Sequence, residues 1–307
     1  MNSSSQQTVE RESLLGTVGN TPLIPLHQLN TGAVEIYAKA EWHNPSGSVK
    51  DRPAAAIMRS ALQSGELADG RSLLDSTSGN MGISYATLAA SIGVPVHLTL
   101  PANADSARKA ILRALGAQVT LTDPIEGSDG ARHVAAAFAE EQPDRYFYAD
   151  QYSNPANWRA HYETTGPEIL HDTNGRITHF VAGLGTTGTV VGTGRFLQVA
   201  APEAQIIAFQ PESPLHGLEG LKNLPSSEVP EIYDPLVPDE TLEVRTEDAF
   251  AMARRLAREE GMLVGPSSAA AAVAAEALAE RISSGVIVAL FADSGHKYLD
   301  LPFWGEQ

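Results

Sequence analysis

The stretch Thr178-His179-Phe180-Val181-Ala182-Gly183-Leu184-Gly185-Thr186-Thr187-Gly188-Thr189 decides the fold, because it passes from an apolar strand through a Gly/Thr loop into the start of a helix. Thr178 to Ala182 reads as a strand, a helix follows to Val199, and a second apolar run, Gln205 to Phe209, completes a strand–helix–strand unit. Parallel strands need a crossover of that kind. The alternation extends in both directions. Upstream, strands at Val34–Ala40, Ser72–Asp75, Val94–Leu100, Gln118–Thr122 and Arg145–Tyr148 are separated by helices at about Lys50–Ser64, from Gly82 through Ser91, at Asp105–Leu115 and at Ser128–Glu141. A helix near Tyr162–His171 leads into the opening stretch. Downstream, Pro211 to Pro238 reads as a loop-rich insertion, followed by helices Thr246–Glu260 and Ser267–Ser283 and the strand Val286–Phe291. The expected fold class is α/β, with two domains, each a mostly parallel twisted sheet covered by helices, and a cleft between them. The expected division is 1–150 and 151–307, with the segment near 13–35 able to cross to the second domain.

The totals narrow the function classes. With 307 residues and a formal charge of −16, the chain can bury a large core but lacks the concentrated Lys and Arg that general nucleic-acid or anionic-membrane binding requires. An anionic ligand must therefore be held by a local site. The absence of cysteine excludes disulfides, thiolate metal sites and a cysteine nucleophile, and suits a cytoplasmic protein. Met1 to Glu10 is polar and reads as a frayed terminus, neither signal peptide nor membrane anchor. The Ala-rich run near residue 270 is interrupted by Glu276, Glu280 and Arg281 and is not expected to span a membrane. Nothing spaces the nine histidines as metal ligands.

Three loops could carry chemistry. Gly183 to Gly188 fits the dinucleotide fingerprint, with Glu212 beyond the next strand as an acidic partner. The same loop, with its Thr186, Thr187 and Thr189 hydroxyls at a helix N-terminus, also suits one phosphate monoester, and a purely structural Gly/Thr turn is a third reading. Thr77-Ser78-Gly79-Asn80-Met81-Gly82 places hydroxyls, an amide and backbone donors at another helix start, which makes either a carboxylate nest or an ordinary N-cap. In Asn44-Pro45-Ser46-Gly47-Ser48-Val49-Lys50-Asp51-Arg52-Pro53, Ser48 is expected to cap a helix and Lys50 to lie near the positive end of its dipole. That position favours the neutral amine required for Schiff-base chemistry, whereas a lone helix-start lysine is ordinarily a solvated charge. Only five lysines, Lys39, Lys50, Lys109, Lys222 and Lys297, compete for the role.

Taken together, Asn44–Pro53, Thr77–Gly82, Gln151 with Asn154-Pro155-Ala156-Asn157, and Gly185–Thr189 resemble the cysteine synthase family, pyridoxal-phosphate enzymes of β-replacement with the tryptophan synthase β-like fold type II. The resemblance runs from about Leu14 to Leu299 and implies a cofactor, pyridoxal 5'-phosphate. It implies that Lys50 forms the internal aldimine and later acts as general base, and that Asn80 contacts the ring hydroxyl. Gly185, Thr186, Thr187, Gly188 and Thr189 would bind the phosphate. It gives Thr77, Ser78, Gly79, Asn80, Met81 and Gln151 to the substrate and Ser267 to the pyridine nitrogen.

The implied reaction is replacement of the β-substituent of an O-activated serine, O-acetylserine or O-phosphoserine, by sulfide to give cysteine, as in an O-acetylserine sulfhydrylase. A cystathionine β-synthase-like condensation with homocysteine is the near alternative. A nicotinamide-binding module or an inactive binding protein is the alternative from another class. The implied partners are a small-molecule amino acid and a sulfur donor, without nucleic acid or membrane, in a homodimer. Two departures stand out: Met81 replaces a threonine of the family's loop, and Gly265-Pro266-Ser267-Ser268-Ala269 replaces Gly-Ile-Ser-Ser-Gly. In the loop His216–Leu224, Lys222 lies where one branch of the family has an arginine, which suggests that it meets a phosphate or thiosulfate.

Overall fold

The computed structural model describes residues 13–30, 32–77 and 79–305. Ser78 and the Met1–Glu10 segment lie outside the described residues. In chain order the strands are β1 (Leu23–Pro25), β2 (Val34–Ala40), β3 (Ser72–Ser76), β4 (Val96–Pro101), β5 (Gln118–Thr122), β6 (Tyr146–Tyr148), β7 (His179–Gly183), β8 (Gln205–Pro211), β9 (Glu240–Val244) and β10 (Gly285–Phe291). The helices are α1 (Asp51–Ser64), α2 (Asn80–Ile92), α3 (Ser106–Ala114), α4 (Gly127–Glu141), α5 (Ala156–Ala160), α6 (Gly166–Asp172), α7 (Gly188–Ala200), α8 (Thr246–Glu259) and α9 (Pro266–Ala279). The chain forms two compact units. One takes the described residues up to Val18 together with Asn44–Ser46 and Lys50–Asn157; the other takes Gly19–His43, Gly47–Val49 and the chain from Trp158 onward.

The first unit is built on a four-stranded parallel sheet in the order β5-β4-β3-β6. Leu73, Leu98 and Leu100 enter a core with Ile57 and Met58 of α1 and Leu88 of α2, while Leu74 joins Ala135 of α4 and Tyr146 in a smaller cluster. Adjacent strand residues thus fill cores on opposite faces, which is why these strands read as continuous apolar runs. Helix α1 ends at Gly65, whose φ of 83° closes the last turn and lets its N–H bond to the Leu62 carbonyl.

The second unit holds a six-stranded sheet in the order β1-β2-β10-β7-β8-β9, parallel except for the β1–β2 pair. Its alternation is regular: Val181, Ile207, Ile287 and Phe291 join the core under α8 and α9, while Phe180, Ile206, Val288 and Leu290 join the core with Val190 and Leu197 of α7. The alanines of α9 are almost all buried. Small side chains let that helix lie close to the sheet, so its hydrophobicity serves the core. No helix among the described residues is long and apolar enough to cross a membrane.

Four elements differ from the expectation. β1 and β9 were not anticipated, because β1 has only three residues and ends in proline, and β9 carries Glu240 and Glu243 on an edge where partial exposure tolerates them. The helix expected over Tyr162–His171 is instead α5, a π-turn at His161–Thr165, and α6. Pro167 has no N–H to give Glu163, and Gly166 bonds back to the His161 carbonyl in the wider π pattern. α9 stops at Ala279, short of Ser283, and Arg281 beyond it forms a bidentate pair with Glu240 of β9 at 2.8 Å for both contacts.

Candidate active site

The Gly183–Thr189 loop joins β7 to α7 in the second unit. Thr187 is the N-cap, with φ 71° and ψ −11°, a left-handed conformation that costs a non-glycine residue about 1 kcal/mol. It turns the Thr187 hydroxyl into the interior, where that oxygen is buried with no hydrogen-bond partner. Thr186 and Thr189 are also buried, and Thr189 Oγ1 lies 3.3 Å from His161 Nε2. A Cβ on Gly185 would overlap the carbonyl oxygen of Gly220, and one on Gly183 would meet Leu221 at 2.6 Å. The Lys222 N–H donates to the Leu184 carbonyl at 2.7 Å. The loop around Gly220 is therefore laid directly on the Gly/Thr loop.

An orphaned hydroxyl, two more threonine hydroxyls and the unsatisfied N–H groups of a helix start make a donor set for a phosphate monoester dianion. The dinucleotide reading fails on its acidic partner. Glu212 is exposed and lies 3.7 Å from Arg245, a surface pair. The sequence did not point to His161, which reaches the loop from the π-turn through a fold contact and has no local motif.

Ser267 is 7% exposed and occupies the first turn of α9, and its hydroxyl has no partner among the described residues. Its neighbour Ser268 is used structurally: its hydroxyl donates to the Asp293 carbonyl at 2.9 Å and sits 3.2 Å from the Asp293 N–H. Ser268 is thus engaged by the scaffold, whereas the hydroxyl of Ser267 bonds to no described residue.

In the first unit, Lys50 is the N-cap of α1, with helical φ and ψ of −69° and −14°. Ser48 does not cap this helix. It pairs with Asp293 in an isolated antiparallel bridge, and Asp51 takes over the loop by accepting the Ser46 N–H at 2.7 Å and the Ser46 hydroxyl. A carboxylate in the first helical turn also complements the dipole.

The Thr77–Gly82 loop follows β3 and opens α2. Thr77 N–H pairs with the Thr99 carbonyl at 3.0 Å, Gly79 is the N-cap, and Asn80 begins the helix. A Cβ on Gly82 would press on Thr77 Cγ2 at 2.6 Å, so glycine there lets the loop fold back on its own helix. Met81 turns its side chain into the core, 2% exposed, and only its backbone faces the loop's function. Gln151 is buried and spends its amide on the Ser76 carbonyl at 3.0 Å, while its own carbonyl accepts from Asn157 at 2.7 Å. Gly185 and Thr186–Thr189, with Ser267 and Lys222, belong to the second unit; Lys50, Thr77, Gly79, Asn80, Met81 and Gln151 belong to the first.

The sequence also gave no sign of Asp75, the residue gripping Ser76 from the other side. Its Oδ1 accepts the Ser76 N–H at 2.8 Å. Asp75 is fully buried, and desolvation, opposed by the Ser76 hydrogen bond and reinforced by the charge of Asp150, pushes its carboxyl up to about 7. The ordinary value is 3.8. Between those values the folded protein keeps a proton that the unfolded chain has released, so stability falls as pH rises through that window and is flat above it. Asn at this position keeps the acceptor oxygen and cannot ionise. In urea unfolding, Asp75→Asn should therefore gain on the parent by ~2 kcal/mol more at pH 8 than at pH 5; an advantage independent of pH would show that Asp75 is ionised throughout.

Among the described residues no group of three or more His, Cys, Asp or Glu could hold a metal ion. The family of pyridoxal-phosphate dependent enzymes matches residues 14–293. A cysteine synthase of Aquifex aeolicus is 48% identical over 305 residues, covering 97% of this chain and 93% of the relative. Cysteine synthase B of Salmonella typhimurium is 40% identical, with 95% of each chain covered. Among solved structures, the cysteine synthase of Entamoeba histolytica superposes with a TM-score of 0.92 at 33% identity, covering 96% of this chain and 91% of that one. The phosphate-sized donor set, a lysine at a helix start and similarity over nearly the whole length agree: the chain belongs to the cysteine synthase family of pyridoxal-phosphate dependent enzymes.

Proposed function

We propose that this protein makes L-cysteine by replacing the β-substituent of an O-activated serine with sulfide, with O-acetylserine as the first substrate. The single observation that carries the cofactor's place is the buried, unpartnered Thr187 hydroxyl in a Gly/Thr loop at a helix start. Bound pyridoxal phosphate supplies the electron sink for loss of the α-proton and departure of the β-substituent. The protein's own residues do the rest. Gly185, Thr186, Thr187, Gly188 and Thr189 hold the phosphate, and Lys50 anchors the cofactor covalently at rest. The free Lys50 amine would be the base that takes the proton from the substrate α-carbon. Asn80 meets the ring hydroxyl. Thr77, Ser78, Gly79 and the backbone of Met81 bind the substrate carboxylate, and Gln151 supports them by fixing Ser76.

Ser267 offers the pyridine nitrogen a neutral hydroxyl, which does not enforce a charged ring and so favours prompt elimination over a long-lived carbanion. Cytoplasmic location, supported by the cysteine-free sequence, and a homodimer, supported by family membership, are part of this reading. So is the division of labour between an N-terminal and a C-terminal half.

Lys222 decides the breadth of substrate. Its backbone is pinned beside the Gly/Thr loop, and its ammonium lies 3.5 Å from the Glu228 carbonyl. A cation placed beside the Gly/Thr loop is electrostatically suited to an anionic leaving group. Product formation from O-acetylserine and O-phosphoserine, each with sulfide, thiosulfate and homocysteine, tests the assignment. Cysteine from O-acetylserine and sulfide is the expected main product, and preferred condensation with homocysteine would replace it with the cystathionine-forming reading. Lys222→Ala should lower kcat/KM for O-phosphoserine ~10-fold and leave O-acetylserine little changed. Equal loss on both substrates would remove Lys222 from the substrate site.

A further inference from the structure

The residue after the last strand of the second unit carries more structure than its position suggests. Asp293 follows the end of β10 and is fully buried. Its backbone carbonyl accepts the Gly265 N–H at 3.2 Å and the Ser268 hydroxyl at 2.9 Å, and its own N–H lies 3.2 Å from that same hydroxyl. These contacts fix the first turn of α9, where Ser267 stands. A Cβ on Gly265 would overlap Asp293 Oδ1, so the carboxylate lies directly against the peptide that starts the helix. On its other side Asp293 pairs with Ser48, and the preceding Ala292 carbonyl accepts the Val49 N–H at 2.8 Å. Val49 is the residue before Lys50. The Tyr298 hydroxyl donates to Asp293 Oδ2 at 2.6 Å and locks the side chain in place.

We propose that Asp293 is a positioning residue for the reaction, fixing with one side chain and one peptide both the backbone that delivers Lys50 and the helix start that presents Ser267. The inference rests on the assignment of Lys50 and Ser267 to the cofactor. A buried carboxyl group held by a phenol is a stiff support, because leaving a buried acceptor unsatisfied is costly. The Tyr298–Asp293 bond therefore sets how rigidly the Ser48–Val49 segment and the first turn of α9 are held. A support of this kind acts through other residues and touches no substrate.

The test uses the holoenzyme carrying Asp293→Asn or Tyr298→Phe, with Ser267→Ala as the control for the underlying assignment. Expected results are a displaced visible absorbance band of the bound cofactor or a displaced pH midpoint of that band, and cofactor release ~10-fold faster. kcat should fall by a similar factor while KM for the serine substrate stays near the parent value. The melting temperature of each cofactor-free variant is measured in parallel. An equal loss of melting temperature with and without cofactor, combined with an unchanged band, pH midpoint and release rate, would overturn the proposal by showing Asp293 to be a structural residue only. If Asp293→Asn does not fold, Tyr298→Phe carries the same criteria, since it removes one hydroxyl and keeps the ring. If Ser267→Ala leaves the band where it was, the assignment of Ser267 fails, and that failure is read apart from Asp293.

Discussion

Lys50→Ala should lose turnover by at least ~10³-fold, together with the covalent attachment of the cofactor, because in the proposed reaction one amine serves as both anchor and base. Three of the other lysines are engaged by the fold. Lys39 is fully buried, and its ammonium is held by the Thr21 carbonyl at 2.6 Å, Glu168 at 2.9 Å and Asp172 at 3.1 Å. Lys109 is bonded to the Ala102 carbonyl at 3.0 Å and Lys297 to the Gly47 carbonyl at 3.4 Å. Borohydride reduction of the yellow protein followed by peptide mass analysis should place the cofactor on the Lys50 peptide. Label on any other lysine, or full turnover in Lys50→Ala, refutes the assignment.

Gly185→Ala has the second large effect, for a reason that is steric before it is chemical. The added methyl would overlap the Gly220 carbonyl oxygen, a backbone atom that cannot swing aside as a side-chain tip can. Either the Gly/Thr loop or the loop carrying Lys222 must shift, and the donors from Thr186 to Thr189 shift with it. Overpacking of this kind costs about 1–3 kcal/mol, which corresponds to cofactor binding weakened ~10- to 100-fold. Titration of the cofactor-free protein with pyridoxal phosphate measures it. An unchanged Kd would mean that the phosphate is held elsewhere.

The periodic parts of the fold were legible in the sequence because both faces of each sheet are buried. Runs such as Phe180-Val181-Ala182 and Ile287-Val288-Ala289 feed two cores at once, and no other element of that length does so. β9 was hidden by its glutamates, and the π-turn by a helical pattern that Pro167 interrupts only once the neighbouring turns are known. Among the candidate site residues, the Gly/Thr loop and Lys50 stood out in the sequence because the chemistry proposed for them is local in the chain. Asp75, His161 and Asp293 did not. His161 and Asp293 act on partners distant in sequence, the Asp75 carboxyl is set by its burial, and single buried Asp or His residues carry no pattern that sequence can display. Ser48 shows the converse: its local propensity suggested a cap, and a pairing with Asp293 claimed it instead.

The placement of β10 between β2 and β7 bears on the order in which this chain can assemble. β10 aligns Val286–Phe291 with Glu35–Ala40, so the two halves of the larger sheet share no strand contact until the last described strand arrives. During synthesis the first unit has nearly all its sequence in hand by Asn157 and can condense early. β1 and β2, made before it, wait unpaired on their inner edge while most of the protein is translated. Such long-range closure is slow and leaves an apolar strand edge open to other chains. The growing polypeptide is thus most vulnerable to aggregation before β10 emerges.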